Sequence, residues 1–519
     1  MNKLTNMTIR LIIATLIGKV LGFAREISLT SLYGATSIAD IYIIVMNIPL
    51  ILFEVIGTAI GTAFIPLYYR VEKEKGKEDV VKFTSNITSL VIIICITLAI
   101  FGFLFSEQLV KVFAINFSGD KLDMSIKFIQ IIIFSLLFIG VSKIITCWLQ
   151  IKEEFVIPGL ISVPYNIIII ISMFIASKGN LIILPIGSLL AILSQLLFQL
   201  PVAYKKGYRY KLYIDFKDEY IRKMIIMIIP VIIAVGVSQI NVAVDKSLAS
   251  TLEDGTITVL NSGYKLNDFI RGIFVMSLTS IIYPKLSKLS KSGDIDMFKE
   301  TIYKSINLLS FILIPATIGT IVLAEPVVRI IFQRGEFDSY ASSLTVIALR
   351  MYSLGLMGYG IRLVLEKVFF SLEDTKTPMR NGIVAVTINI VLNLALIKVM
   401  GFAGLAFSTS LSGIICVILL FRSLKDKIGN FYQGKIIVNI LKCTISSILM
   451  GVVTHIVHIN IIKVISGSLI NDVITLGIAI IVGIIIYIIL TAVLKVEETY
   501  YVLDLVKKLV FKGDQKIYE

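Results

Sequence analysis

Lys19, Arg25 and Glu26 fall within one apolar stretch, MTIRLIIATLIGKVLGFAREISLTSLY, and Asp40 stands at the head of the next. A charge at bilayer depth costs roughly 2.5–3.5 kcal/mol on insertion scales, so such residues are kept for ion pairs or for ligands. On a helix Lys19 and Glu26, seven apart, share a face, and Arg25 lies about 100° round from Glu26. The second stretch carries Glu54, fourteen residues after Asp40 and roughly aligned with it. A later stretch holds Lys265, Asp268 and Arg271 at i, i+3, i+6, and another holds Arg350, Arg362, Glu366 and Lys367. Interhelical ion pairs and snorkelling are the favoured reading for Arg271, Arg350, Glu366 and Lys367. Lys19, Arg25 and Lys265, cations from both halves of the chain, suit an anionic ligand. Pyrophosphate fits their guanidinium and ammonium donors, and Glu26 would keep Arg25 oriented between occupancies.

A second cluster is polar rather than basic. Ser238, Asn241 and Asp245 align at i, i+3, i+7; Asn389 and Asn393 align at i, i+4; Ser408, Thr409 and Ser412 sit close together. Carboxylate, amide and hydroxyl oxygens of this kind can hold a hard cation. The same residue types also serve plain hydrogen bonding between membrane helices, which is the favoured reading of the two. Cys95, Cys147, Cys416 and Cys443 lie in apolar segments without a C-x-x-C spacing and read as small buried hydrophobes. His455 and His458 have no carboxylate or cysteine cluster beside them, which argues against a metal site. No G-x-x-x-x-G-K-[ST] string, catalytic triad or zinc motif is present, so neither direct ATP drive nor enzymatic catalysis is expected.

The elements that must position these groups are membrane helices. Of 519 residues, 57% are hydrophobic and only 16% charged, against about 25% charged in soluble domains. With about 20 apolar residues needed per span, fourteen candidates are expected, near 8–31, 38–66, 85–105, 128–150, 156–177, 180–203, 224–250, 264–284, 305–324, 341–371, 379–397, 399–421, 436–462 and 473–494. The net charge of +14 reflects loop lysines rather than nucleic-acid binding. Well over half of the 49 lysines and arginines fall in alternate connecting segments and the two tails. The positive-inside rule then puts both termini in the cytoplasm, with an even number of spans. No cleavable signal peptide is expected, because the first apolar helix carries internal charges. The amphipathic end, VEETYYVLDLVKKLVFKGDQK, is expected to lie along the cytoplasmic surface.

The chain also echoes itself. FIPLYYRVEKEKGKEDVVKF around Pro66 resembles IYPKLSKLSKSGDIDMFKE around Pro284, a shift of 218, and LQIKEEFVIP resembles FSLEDTKTP at a shift of 220. The pair Arg25–Glu26 stands opposite Asp245–Lys246 with the charge order reversed. The expected architecture is all-α: a polytopic protein with two pseudo-symmetric six-helix lobes, 1–220 and 221–425, and two further helices with the cytoplasmic tail in 426–519. Secondary transporters bind substrate between halves related in this way.

The strings GKVLGFAREISLTSLYGATSIADIY, NIP, TAFIPLYYR, SQINVAVDKSLAS and FFSLEDTKTP resemble, in that order from about residue 8 to 425, the MurJ (MviN-type) lipid II flippases. That family belongs to the multidrug/oligosaccharidyl-lipid/polysaccharide exporter superfamily and has fourteen helices. The resemblance implies movement of undecaprenyl-diphosphate-linked peptidoglycan precursor from the inner to the outer leaflet of a bacterial cytoplasmic membrane by alternating access. It implies a transporter, expected to be monomeric, with lipid II as its substrate, cell-wall synthesis proteins as candidate partners, and no nucleic acid. By resemblance Lys19, Arg25, Glu26, Asp40, Lys265 and Arg362 become the substrate-binding set. Asp245, Asn389, Asn393, Thr409 and the Leu405 carbonyl fall at a sodium site of the family. No cofactor is required, and sodium is the candidate coupling ion. Asn393 stands where a carboxylate can occur, so sodium would be held more weakly. One departure is NIPLILFEVIG, where Leu52 and Phe53 replace a helix-two arginine common in the family. The last two helices are the expected groove for the polyprenyl tail.

Three rival functions remain. A sister flippase for another undecaprenyl-diphosphate sugar would share the same cavity cations. A cation-coupled multidrug exporter would want an acidic cavity and usually twelve helices, and a non-transporting scaffold would leave the buried charges without purpose.

Overall fold

The structure, a computed structural model, describes residues 3–464 and 468–504. Among the described residues its regular structure is helical only; two short helices, Ser106–Phe113 and Ala324–Phe332, precede the fourth and the tenth of the fourteen longest, which are named α1 to α14 in chain order. They are α1 (Lys3–Tyr33), α2 (Ser37–Lys75), α3 (Lys77–Leu104), α4 (Gly119–Ile132 and Ser135–Ile151, bent by about 40° at the break) and α5 (Val156–Ala176). Next come α6 (Ile183–Lys205), α7 (Glu219–Ala249), α8 (Thr256–Ser292), α9 (Ile295–Val322) and α10 (Ser339–Ser371). The last four are α11 (Lys376–Met400), α12 (Phe402–Ile428), α13 (Gln433–Val464) and α14 (Leu469–Val493).

Among the described residues, eleven helices are long and apolar enough to span a membrane by themselves, and α4 makes twelve. The helices α1 and α8, which carry Lys19, Arg25 and Glu26 or Lys265, Asp268 and Arg271, complete the fourteen. Several helices run past the apolar windows: α2 continues through VEKEK to Lys75 and α8 through KLSKLSKS to Ser292. Lys and Glu are good helix formers, so the helix persists where hydropathy ends. Of the amphipathic tail, residues 497–504 are helical, and 505–516 lie outside the described residues.

The chain divides into two compact units. The first is Met1–Thr258 with Arg334–Asp338; the second is Val259–Gln333 with Ser339–Glu519. The sequence repeat turns over near residue 220, yet the packing boundary falls at Thr258, because α7 packs along α2. In the first unit α2 is the central helix, burying Ile41, Ile44, Ile48, Phe53, Ala63 and Phe64. Close helix approach there relies on small residues: a Cβ on Gly187 of α6 would lie 2.1 Å from the Ser172 Cβ of α5.

The second unit has a core from α8, α9, α10 and α12 that includes Leu286, Phe298, Leu309, Leu313, Phe369 and Leu420. Its last two helices dock on α9 through a backbone repair. Pro315 lacks the N–H that would bond the Phe311 carbonyl one turn earlier, and the Tyr487 hydroxyl of α14 donates to that carbonyl at 2.8 Å. Arg350 acts similarly at the end of α9, its Nε donating to the Ile321 carbonyl at 3.1 Å.

One turn recurs at an offset of 220. Glu153 and Glu373 both have positive φ, 55° and 57°. Glu153 N–H donates to the Gln150 carbonyl and Glu154 to Leu149, as Glu373 donates to Phe370 and Asp374 to Phe369. In the second copy Asp374 caps α11. It accepts from Thr377 N at 3.0 Å, Thr377 Oγ1 at 2.8 Å and Lys427 Nζ at 2.6 Å. Desolvation works against ionisation of Asp374, but these donors prevail and hold its carboxyl down at about 2.

Candidate functional site

In the first unit Arg25 is held on three sides. Its Nη2 donates to Glu26 Oε1 at 2.6 Å, its Nη1 donates to Asn166 Oδ1 at 3.3 Å, and its guanidinium lies 5.6 Å from the Tyr165 ring centre. Asn166 is itself fixed, its Nδ2 donating to the Ser162 carbonyl at 2.7 Å. Thus α1 supplies charge and counter-charge, and α5 supplies the acceptor and the ring. Lys19 is partly exposed on the same helix and, among the described residues, forms no ion pair. Glu54 is exposed and accepts from Thr58 within its own helix. Sequence reading passed over one cation: Lys143 of α4 brings its Nζ to 3.9 Å from where a Cβ on Gly61 of α2 would stand. A single lysine inside LLFIGVSKIITCW was the available signal.

Asp40 does different work. It is 1% exposed, and its carboxylate accepts from Gly255 N at 2.7 Å, Thr258 N at 2.8 Å and Thr258 Oγ1 at 2.7 Å. This caps the first turn of α8 with a charge at its positive end. Lys121 stands 4.0 Å from Asp40 and 2.6 Å from Asp254. Gly255 has φ +86°, and a Cβ there would lie 2.1 Å from the Ala35 carbonyl, so only glycine fits. Beside it Glu336 N donates to the Ser31 carbonyl at 2.9 Å. The turns after α1 and α7 and residues 334–338 are therefore tied together at one end of this unit.

In the second unit Arg271 pairs with Asp268 and donates to the Tyr264 hydroxyl at 3.4 Å. Arg362 pairs with Glu366 at 2.8 Å. Sequence reading treated these two arginines separately. The structure brings both to one ring, Tyr359, at 4.4 Å for Arg271 and 5.9 Å for Arg362. Lys265 is partly exposed on α8, with no ion pair among the described residues.

The polar cluster is continuous across α11 and α12. Asn393 Nδ2 donates to Asn389 Oδ1 at 3.1 Å, and Asn389 Nδ2 donates to Ser412 Oγ at 3.3 Å. Thr409 Oγ1 donates to the Leu405 carbonyl at 3.1 Å. Asn389 and Asn393 are 2% and 0% exposed, so their oxygens are sheltered. Amide, hydroxyl and carbonyl oxygens together are a hard, neutral donor set of the kind a monovalent cation takes. Asp245 belongs to the first unit, where Asn241 Nδ2 lies 3.4 Å from its Oδ2. Among the described residues no group of three His, Cys, Asp or Glu side chains is placed to hold a metal. An apolar cavity of about 550 Å³ lies where α9 meets α13, lined by Ile318, Val322, Ile448, Val452 and Ile456 with Arg350.

The model of the family described as lipid II flippase MurJ matches residues 29–475. A probable lipid II flippase MurJ of Vibrio cholerae is 31% identical over 79% of this chain and 81% of its own length. One of Buchnera aphidicola is 27% identical over 89% of this chain and 92% of its own. A solved structure described as lipid II flippase MurJ in an inward closed conformation superposes with a TM-score of 0.79. It is 26% identical and covers 94% of this chain and 98% of that one. An inward-facing multidrug resistance transporter of the MATE family shares the fold at a TM-score of 0.64 and 14% identity, over 81% of this chain and 98% of its own.

Proposed function

The chain belongs to the lipid II flippase MurJ family, and on that premise we propose that Arg25 holds the diphosphate of lipid II while the precursor crosses a bacterial membrane. It is a multi-span transporter, not an enzyme. The observation that carries the role of Arg25 is its placement. It lies eight residues before the end of α1, or about 12 Å along the axis at about 1.5 Å per residue. Glu26 and Asn166 engage two of its donors. A guanidinium offers five, so others remain for phosphate oxygens in the fork geometry that suits them. Tyr165 and Asn166 fix the group in place, so binding need not order it first. In the first unit Lys19 and Glu26 are the supporting charges; in the second, Lys265 and Arg362 are those that the family resemblance assigns to the headgroup, Arg362 lying beside Tyr359.

Alternating access requires an end that opens and closes. The Asp40 cap is that device in this reading, and the positive-inside bias places it away from the cytoplasm, with both termini inside. Three hydrogen bonds to one buried carboxylate hold the end shut. In the second unit the Asn389, Asn393, Thr409 and Leu405 oxygens would hold sodium. The ion would supply positive charge that favours one conformation over the other. The α9–α13 cavity suits part of the polyprenyl tail.

Depletion in the native host, scored by which lipid-linked precursor accumulates on the inner leaflet, tests the substrate. Lipid II is the expected species. Accumulation of another undecaprenyl-diphosphate sugar with lipid II unchanged would favour the sister-flippase reading.

A further inference from the structure

A cavity of about 210 Å³ in the first unit shares no residue with the Arg25 site. It lies where the ends of α2, α4 and α6 meet the start of α3, and four cations line it: Lys77, Lys152, Lys206 and Arg209. One lining carboxylate, Glu72, faces them, and Glu154 outside the lining pairs with Lys206 at 3.0 Å. Lys152 has ring faces as its neighbours, 5.3 Å from the Tyr68 centre and 5.6 Å from Trp148, and forms no ion pair among the described residues. Thr84 also lines the cavity; it is 3% exposed, and its hydroxyl has no hydrogen-bond partner among the described residues. A buried donor of this kind is costly unless something completes it. Excess positive charge, an orphan hydroxyl and tyrosine walls together specify an oxyanion.

The segment after α6 says what carries that oxyanion. Residues 208–215 have no helix and run along α3, pinned where Asn86 Nδ2 donates to the Asp215 carbonyl at 2.8 Å and Asp215 N donates back to Asn86 Oδ1 at 2.9 Å. Tyr208 and Arg209 of this strap enter the cavity wall, whereas Leu212 and Phe216 stand out at 79% and 69% exposure, interleaved with Lys211 and Lys217. Alternating apolar, aromatic and basic side chains at the end of a membrane helix belong to the lipid headgroup layer. We infer that this cavity binds the phosphate of an anionic phospholipid, with Lys152, Lys206, Arg209 and Thr84 as its contacts and the strap's apolar residues against the acyl chains.

Trp148, the chain's one tryptophan, lines the cavity and reports on it directly. The purified full chain in detergent is titrated with dioctanoyl phosphatidylglycerol, dioctanoyl phosphatidylcholine and inorganic phosphate while Trp148 emission is followed. Saturable change with phosphatidylglycerol alone is expected, weakened about tenfold by Lys152→Ala or Arg209→Ala and several-fold by the near-isosteric Thr84→Val. Lys152→Arg should restore most of the affinity, which separates lost charge from lost fold. Lys211→Ala, on the strap but outside the cavity, should change it less than about twofold. Equal loss in Lys211→Ala and Arg209→Ala would overturn the site in favour of diffuse surface attraction. Inorganic phosphate acting as strongly as the lipid would overturn the lipid assignment, and phosphatidylcholine doing so would overturn the need for a negative headgroup.

Discussion

Asp40→Asn should release the end of the first unit that its carboxylate ties. The carboxylate accepts three hydrogen bonds, two from backbone N–H groups and one from the Thr258 hydroxyl. An asparagine keeps the size but has one acceptor oxygen, so its NH2 must face a backbone N–H, donor against donor. Hydrogen bonds to a charged group contribute about 1.5–3 kcal/mol, and an unsatisfied buried donor costs about 1–3 kcal/mol. Some of this is offset because a neutral amide is less costly to bury than a carboxylate. A net loss of about 3 kcal/mol shifts the balance between tied and released states on the order of 100-fold. Thr256 is 6% exposed beside the tie, so a Thr256→Cys reporter should react with a maleimide only on release. Adding Asp40→Asn should raise its labelling rate on the order of 100-fold. Cys95, 0% exposed in α3, is the internal control and should stay unlabelled if the fold is intact. An unchanged Thr256→Cys rate, or equal labelling of Cys95, would refute a local tie.

The Asp374 carboxyl is held at about 2, below its ordinary value near 4, so its stabilisation is complete above pH 4 and is lost as pH falls through 2. Asp374→Asn should flatten that acid limb in a thermal melt, and an unaltered limb would count against the Lys427 and Thr377 contacts. Tyr487→Phe removes the donor to the carbonyl freed by Pro315 and should cost about 1–3 kcal/mol, seen as a lower melting temperature with the chain still folded. Sodium, but not choline, should raise the melting temperature of the purified protein, and Thr409→Val should reduce that gain. No shift in the unsubstituted protein would remove the cation site.

Much of this architecture could be read from one dimension. Apolar run length located the helices, and the charges inside α1 and α8 marked those two among them. The recurrence of LQIKEEF as FSLED corresponds to one turn built twice, down to the left-handed Glu153 and Glu373. What stayed hidden depends on contacts between helices. Arg271 and Arg362 are 91 positions apart, and their meeting at Tyr359 depends on α8 packing beside α10, which no window reveals. Asp40 read as one more headgroup ligand, whereas its partners are backbone N–H groups that sequence does not display. Lys143 was missed because one charge barely alters the hydropathy of a long span. The packing boundary at Thr258 was hidden because α7 joins α2 through apolar surfaces common to every span.

If this chain carries lipid II across the membrane with Arg25 on the diphosphate, the leaflet distribution of lipid II must depend on that arginine. The measurement is the fraction open to an outside reagent in cells depleted of their own flippase. The chain should restore outer-leaflet lipid II, and Arg25→Ala, present in the membrane at equal amount, should not. Lipid II still confined to the inner leaflet with the unsubstituted chain, or full restoration by Arg25→Ala, would contradict the account.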